Sequence, residues 1–160
     1  MHRTVIISNR YAGQGRAVQA SANLRDQLHF VGSVVETYES DSADNARFLV
    51  QSAVSEGVDC VVIAGGDGSL LNVFDLLADT NTVLAALPTG RGNDFVRGLS
   101  MPTSSEVLAQ SIRLRRSRRV DLGCVNGKFY GTITSCGLDA EVGRKMVSGS
   151  SFRGMTGYLI

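Results

Sequence analysis

The sequence predicts an α/β fold, a parallel sheet with helices on both faces, followed by the start of an antiparallel β-rich domain. Three observations point there. Four short apolar runs read as buried strands: Thr4-Val5-Ile6-Ile7, residues 34–38, Cys60-Val61-Val62-Ile63-Ala64 and Val83-Leu84-Ala85-Ala86-Leu87. Helical periodicity fills the stretches between them, and strands alternating with helices build parallel sheets. After residue 119 the pattern changes, because Asn126-Gly127 sits between two further short runs and is a strong hairpin signal.

The first run ends in Ser8-Asn9, and Arg10-Tyr11-Ala12-Gly13-Gln14-Gly15 turns the chain into a helix over residues 15–30, with Ala17, Ala20, Leu24 and Leu28 on one face. The Gly13/Gly15 pair lacks the third glycine of a dinucleotide fingerprint and the Lys-Ser/Thr of a P-loop, so an ordinary strand-to-helix turn suffices for it. Asp41 and Ser42 are cap candidates for a second helix, whose apolar stripe is Ala46, Leu49, Val50, Ala53 and Val54 and whose end is Gly57.

The stretch Gly65-Gly66-Asp67-Gly68-Ser69 follows the third strand. Ser69 can cap a helix that buries Leu70, Leu71, Val73, Phe74 and Leu77. Glycines allow close backbone approach, and the free N–H groups of a helix start suit a phosphate. Asp67 would repel a bare phosphate unless a cation sits between them or the carboxylate takes a proton during phosphoryl transfer. The alternative is a plain turn with Asp67 as a local cap.

The fourth strand leads into Pro88-Thr89-Gly90-Arg91-Gly92-Asn93-Asp94. Here Arg91 can grip phosphate oxygens, while Asn93 or Asp94 can cap a short helix over residues 95–98. Loops from Asn9, Gly65 and Pro88 all emerge at the carboxyl edge of the sheet, where ligands of such folds bind. Thr103 opens a last helix, with Val107, Leu108 and Ile112 on one face. Arg113, Arg115, Arg116, Arg118 and Arg119 follow it, either as an anionic-surface contact or as a solvated connector. No aromatic is interleaved, so nucleic acid is not expected.

Composition bounds these readings. In 160 residues, 43% hydrophobic and 19% charged with a net charge of +1, one domain plus part of a second is expected, and wholesale disorder is excluded. The cysteines, Cys60, Cys124 and Cys136, lack CxxC spacing, and His2 and His29 form no cluster. Reduced thiols and a cytoplasmic location follow, with no metal ligand set assigned. No stretch approaches the ~20 apolar residues of a membrane span, so membrane contact is expected to be peripheral. We expect a nucleotide-scale α/β domain over residues 1–119 and a β-rich domain beginning at residue 120, including a short helix over residues 140–147. A single hairpin cannot close a core, so the second domain is expected to be cut short at Tyr158-Leu159-Ile160, with unpaired edges that favour self-association.

Together, Asn9 to Gly13, Gly65 to Val73, Pro88 to Arg97, Val120-Asp121-Leu122-Gly123 and Gly137-Leu138-Asp139-Ala140 resemble the catalytic domain of the diacylglycerol kinase family, which includes bacterial lipid, sphingosine and ceramide kinases. The glycine-Asp element is shared with NAD kinases and phosphofructokinases, and Gly92-Asn93-Asp94-Phe95 favours the lipid kinases. The resemblance implies a Rossmann-like domain binding ATP with Mg2+, and a lipid site with its general-base carboxylate in a C-terminal β-sandwich. By the same resemblance Asn9, Gly13 and Thr37 line the nucleotide. Gly65, Gly66, Asp67, Gly68, Ser69, Leu70 and Leu71 hold the phosphates, Asp67 lies nearest the transferred group, and Arg91, Gly92, Asn93 and Asp94 complete the site. Ser69 stands where threonine is usual, Leu71-Asn72 where Asn-Glu is, Arg91 where threonine is and Arg10 where proline is. The implied function is an ATP-dependent kinase of a lipid hydroxyl. The alternatives are an NAD kinase-like enzyme acting on a soluble ribose and a kinase-like binding module without turnover.

Overall fold

The computed structural model describes residues 2–30, 33–137 and 140–141. The four expected strands form as β1 (Arg3–Asn9), β2 (Val34–Ser40), β3 (Cys60–Gly65) and β4 (Val83–Pro88), all parallel, in the order β2-β1-β3-β4. β1 and β3 take the centre because their apolar runs suit burial on both faces, and every residue of β3 is buried. Val61, Val62 and Ile6 are fully enclosed, each contributing about 1.5–3 kcal/mol of hydrophobic stabilisation. β2 is an edge strand and leaves Thr37, Tyr38 and Glu39 exposed.

Alternating residues send each strand to two cores. Ile6, Val62 and Leu87 meet α1 (Arg16–Phe30) through Leu24 and Leu28, on the same face as the last helix. Val5, Ile7, Val61 and Ile63 meet α2 (Ala43–Ser55), α3 (Asp67–Leu71), α4 (Phe74–Leu77) and α5 (Asp94–Gly98) on the other. The chain thus leaves β1 on one face and β3 on the opposite face. Neighbouring strands whose connections diverge in this way open a crevice at their carboxyl ends.

Several expectations need correction. β2 runs on to Ser40, so Thr37 lies inside the strand, opposite Ile6, rather than at its end. Ser69 caps nothing: the first helix after β3 begins at Asp67 with Gly66 at its N-cap, and Ser69 lies in its first turn. That helix is also broken, because Val73 (φ −126°, ψ 0°) separates α3 from α4. The apolar stripe keeps its phase across the break, so Leu70, Val73, Phe74 and Leu77, spaced i, i+3, i+4 and i+7, are buried, while Leu71 falls off the stripe and is 51% exposed. The last helix, α6 (Ser105–Arg113), is capped by Ser104, whose hydroxyl accepts from Val107 N. Its buried face is Ser105, Leu108, Ala109 and Ile112, and Val107 turns outward. Of the two candidates before α2, Ser42 caps, accepting from Asn45 N at 3.1 Å.

The hairpin forms as β5 (Gly123–Val125) and β6 (Lys128–Tyr130), antiparallel and shorter than the flanking apolar runs. Asn126 (φ 51°) and Gly127 (φ 76°) are both left-handed, as a type I′ turn requires. Phe129 and Leu122 pack on the α2–α5 core, and Gly131 lies against the tilted Phe74–Phe95 ring pair. Ala140 and Glu141 are helical, with Glu141 N donating to Gly137 O. The rest of the expected helix over residues 140–147, together with Leu138, Asp139 and Tyr158-Leu159-Ile160, lies outside the described residues.

Arg47 on α2 ties the kink to the rest of the domain. Its guanidinium donates to Asn72 O at 2.6 Å and to both Asp75 carboxylate oxygens at 2.7 Å. The guanidinium holds Asp75 below its ordinary 3.8. A depressed carboxylate contributes stability above the unfolded pKa and loses it as pH falls through the lower folded value. Both side chains are over a third exposed, so Arg47→Ala is expected to cost ~0.5–1 kcal/mol at neutral pH. Thermal melts should show that difference shrinking below pH 3.8. An unchanged difference there would assign the loss to the Asn72 contact instead.

Candidate functional site

Three loops meet at the carboxyl edge of the sheet, and their backbones interlock. Asn9 closes β1 with both ends of its amide engaged: Oδ1 accepts from Tyr11 N at 3.0 Å and Nδ2 donates to Ser69 Oγ at 3.3 Å. The loop after β1 therefore rests on the glycine turn after β3. Thr89 N donates to Gly65 O at 2.9 Å, joining that turn to the loop after β4. A Cβ at Gly90 would lie 2.6 Å from Gly66 Cα, and one at Gly13 (φ 61°) 2.6 Å from Thr89 O. These glycines let loops touch each other, which no side chain would permit. Gly68 differs, since nothing lies within 4 Å of its missing Cβ.

Asp67 sits at this junction. Its Oδ1 accepts from Phe95 N at 3.2 Å, so it caps α5 from 28 residues away rather than its own helix. Asn93 holds the N-cap position in a left-handed conformation (φ 54°) but makes no capping bond. Its amide instead closes its own loop, with Gly90 N donating to Oδ1 and Nδ2 donating to Gly90 O. Asp94 ion-pairs with Arg97. The second oxygen of Asp67 packs against Gly92. A Cβ on Gly92 would be 2.9 Å from Asp67 Oδ2 and 3.4 Å from Asp94 Oδ2.

Two clefts flank α3. The first, 430 Å³, opens between the ends of β2, β1 and β3 and brings together Asn9, Gly66, Gly68 and Ser69 from the sequence-derived set. It also takes in Tyr11, Ser40, Asp41 and Asn72, which sequence reasoning left out. Ser40 was legible in principle: it pairs with Asn9 in register, and extending β2 to the length of β1 reaches it. The second cleft, 590 Å³, lies between α2, α3 and the hairpin and contains Asp67, Gly68, Leu71, Arg47 and Lys128. Gly68 and Asn72 line both. Gly13, Thr37, Gly65, Leu70, Arg91, Gly92, Asn93 and Asp94 line neither cleft. Leu70 is 2% exposed in the core, so any ligand contact from it is through the backbone, and Arg91 is exposed.

Other chemistry is distant or quiet. Burial pushes the Cys60 thiol up to about 12, which makes it a packing residue and not a nucleophile. Among the described residues no three His, Cys, Asp or Glu side chains cluster as a metal site, and no helix is long and apolar enough to cross a membrane. Arg113, Arg115, Arg116, Arg118 and Arg119 are exposed, with Arg118 donating to Leu99 O. Arg115 is close enough to Asp59 to lower its pKa, and Asp59 precedes β3. The run therefore starts at the amino edge of the sheet, opposite the clefts.

The chain has similar sequences and structures among known proteins. The chain is 35% identical over 147 residues to a diacylglycerol kinase of Mycobacterium tuberculosis, covering 88% of this chain and 47% of that protein. It is 29% identical over 133 residues to a probable YegS-like lipid kinase of Yersinia pestis, covering 81% and 44%. A crystal structure of a diacylglycerol kinase from Bacillus anthracis superposes with a TM-score of 0.69 at 26% identity, covering 80% of this chain and 47% of that one. The chain thus spans about half the length of the curated relatives it matches. The sequence profile of the diacylglycerol kinase catalytic domain matches residues 3–125, from β1 through the glycine turn and the Gly92-Asn93-Asp94-Phe95 loop to the end of β5, and with that extent the chain belongs to the diacylglycerol kinase catalytic domain family.

Proposed function

We propose that this chain is the nucleotide-binding part of an ATP-dependent kinase that phosphorylates a lipid hydroxyl. The observation that carries the reading is that Gly68, beside Asp67 at the start of α3, lines both clefts, while Asp67 itself lines the larger one. The 430 Å³ cleft would hold ATP, with its phosphates toward residues 66–69, and the 590 Å³ cleft would receive the acceptor. A phosphoryl group passing between them would cross the α3 start. Residues 1–119 would form the nucleotide domain. The hairpin would begin the acceptor domain. The arginines at 113–119 would meet anionic headgroups.

Magnesium fits this arrangement. The residues lining the 430 Å³ cleft include one carboxylate, Asp41, and no Lys or Arg among the described residues, so nucleotide phosphates there call for a counter-charge. Asp67 stands in sequence between Gly66 and Gly68 of that lining and itself lines the adjoining 590 Å³ cleft, so it is the carboxylate that would hold the ion, since Mg2+ is commonly held by one or two carboxylates plus substrate phosphates. Bound there, the ion would neutralise phosphoryl oxygens. The chain's own part is to orient the nucleotide through the residue 66–69 backbone and to hold Asp67 by its bond to Phe95 N.

The test has two arms on the full-length protein. Calorimetric titration should show ADP binding that is at least tenfold tighter with Mg2+ than with chelator. Labelled ATP should pass phosphate to lipid in mixed micelles and none to NAD. Binding of ADP without any transfer would favour the binding-module reading, and transfer to NAD alone would favour the ribose kinase.

A further inference from the structure

We propose that Tyr11 is the platform on which the nucleotide base stacks, an inference that rests on the 430 Å³ cleft being the nucleotide site. Tyr11 is 72% exposed, although a tyrosine ring ordinarily gains by burying its faces. Its exposure is not slackness of the backbone. Its N–H is held by Asn9 Oδ1 at 3.0 Å, and two residues later Gly13 is wedged beneath Thr89 O. The ring is therefore presented from a fixed turn at the wall of the cleft.

Sheet order says which end of the nucleotide it meets. Along the carboxyl edge the loops follow the order β2, β1, β3. With the phosphates at residues 66–69 after β3, the base extends past the β1 loop toward the β2 end. β3 and β2 are roughly 10 Å apart, two strand spacings, which a ribose and the start of a base would bridge. The cleft lining includes Ile7, Ala12, Ala43 and Ala46, apolar surface for a heterocycle, beside Ser40, Asp41 and Ser42 at the β2 end, where the Asp41 carboxylate suits ribose hydroxyls or a base amine and not a phosphate. Tyr11 is the aromatic side chain on that path, and stacking on it needs no match to a particular base edge.

The test uses the full chain with Tyr11→Ala and Tyr11→Phe, each checked for an unchanged melting temperature. ADP and inorganic pyrophosphate, both with Mg2+, are titrated into each. Tyr11→Ala should weaken ADP roughly tenfold or more and leave pyrophosphate within twofold, while Tyr11→Phe should bind both as the parent does. An ADP affinity within twofold of the parent in Tyr11→Ala overturns the stacking role while leaving the nucleotide site intact. Equal loss of ADP and pyrophosphate also overturns it, because the residue would then act on the phosphate end. A parent chain that binds neither ligand overturns the nucleotide reading, and the platform with it.

Discussion

Asp67→Ala is expected to slow phosphoryl transfer by the full-length protein by ~10²–10³ and to destabilise it, whereas Asp67→Asn should slow transfer as much and leave stability almost untouched. The separation follows from the two roles of one side chain. Oδ1 accepts from Phe95 N at 3.2 Å and so caps α5, and loss of such a cap costs about 1 kcal/mol. Asparagine caps as well as aspartate does, so its amide oxygen can keep that bond. The charge is another matter. Asp67 lines the 590 Å³ cleft beside Gly68, and removing a preorganised charge from a reacting centre costs on the order of 10²–10³ in rate. Turnover and thermal melts on both variants decide the matter. If Asp67→Asn loses stability in step with activity, the carboxylate is a structural cap and the site chemistry must be sought elsewhere.

The second large effect is expected at Gly90. An alanine methyl there would come within 2.6 Å of Gly66 Cα and 2.9 Å of Asn93 Oδ1, and the first is backbone that cannot rotate away. Relieving such an overlap typically costs ~1–3 kcal/mol, and here it prises the loop after β4 from the glycine turn. Gly90→Ala should therefore lower the melting temperature by several degrees and weaken Mg-ADP together. Gly68→Ala provides the contrast. Nothing lies within 4 Å of its missing Cβ, yet it lines both clefts, so it should weaken ligand binding with little change in melting temperature. If Gly90→Ala binds Mg-ADP normally, the interlock of the two loops is irrelevant to the site.

The hairpin and the four parallel strands were legible because their signals are local. A β-branched apolar run, the i, i+4 stripe of α2 and the Asn126-Gly127 turn each carry their own geometry within a few residues. The carboxyl edge was legible too, since parallel order and short loops put Asn9, Gly66 and Thr89 on one side of the sheet. The break after β3 at Val73 was not, because no glycine or proline marks it. The buried Leu70, Val73, Phe74 and Leu77 keep the i, i+3, i+4, i+7 spacing across it, so the exposure of Leu71 follows from helical period alone.

Tertiary structure also decided what the polar and glycine positions do. Asp67, Asn93 and Asp94 all looked like caps for the helix that follows each of them. A capping oxygen needs only to lie within hydrogen-bond reach of a free N–H, and the β3–β4 pairing brings Asp67 to Phe95 across 28 residues. Gly66 and Gly68 both looked like room for a phosphate, Gly13 read as an ordinary turn that only the resemblance placed on the nucleotide, and Gly90 sat in a polar loop with no assigned contact. Three of the four are filled by the backbone of a neighbouring loop, and Gly68 alone faces open space. A missing Cβ records that something comes close; whether it is a ligand or another strand's loop depends on distances between loops that no local pattern contains.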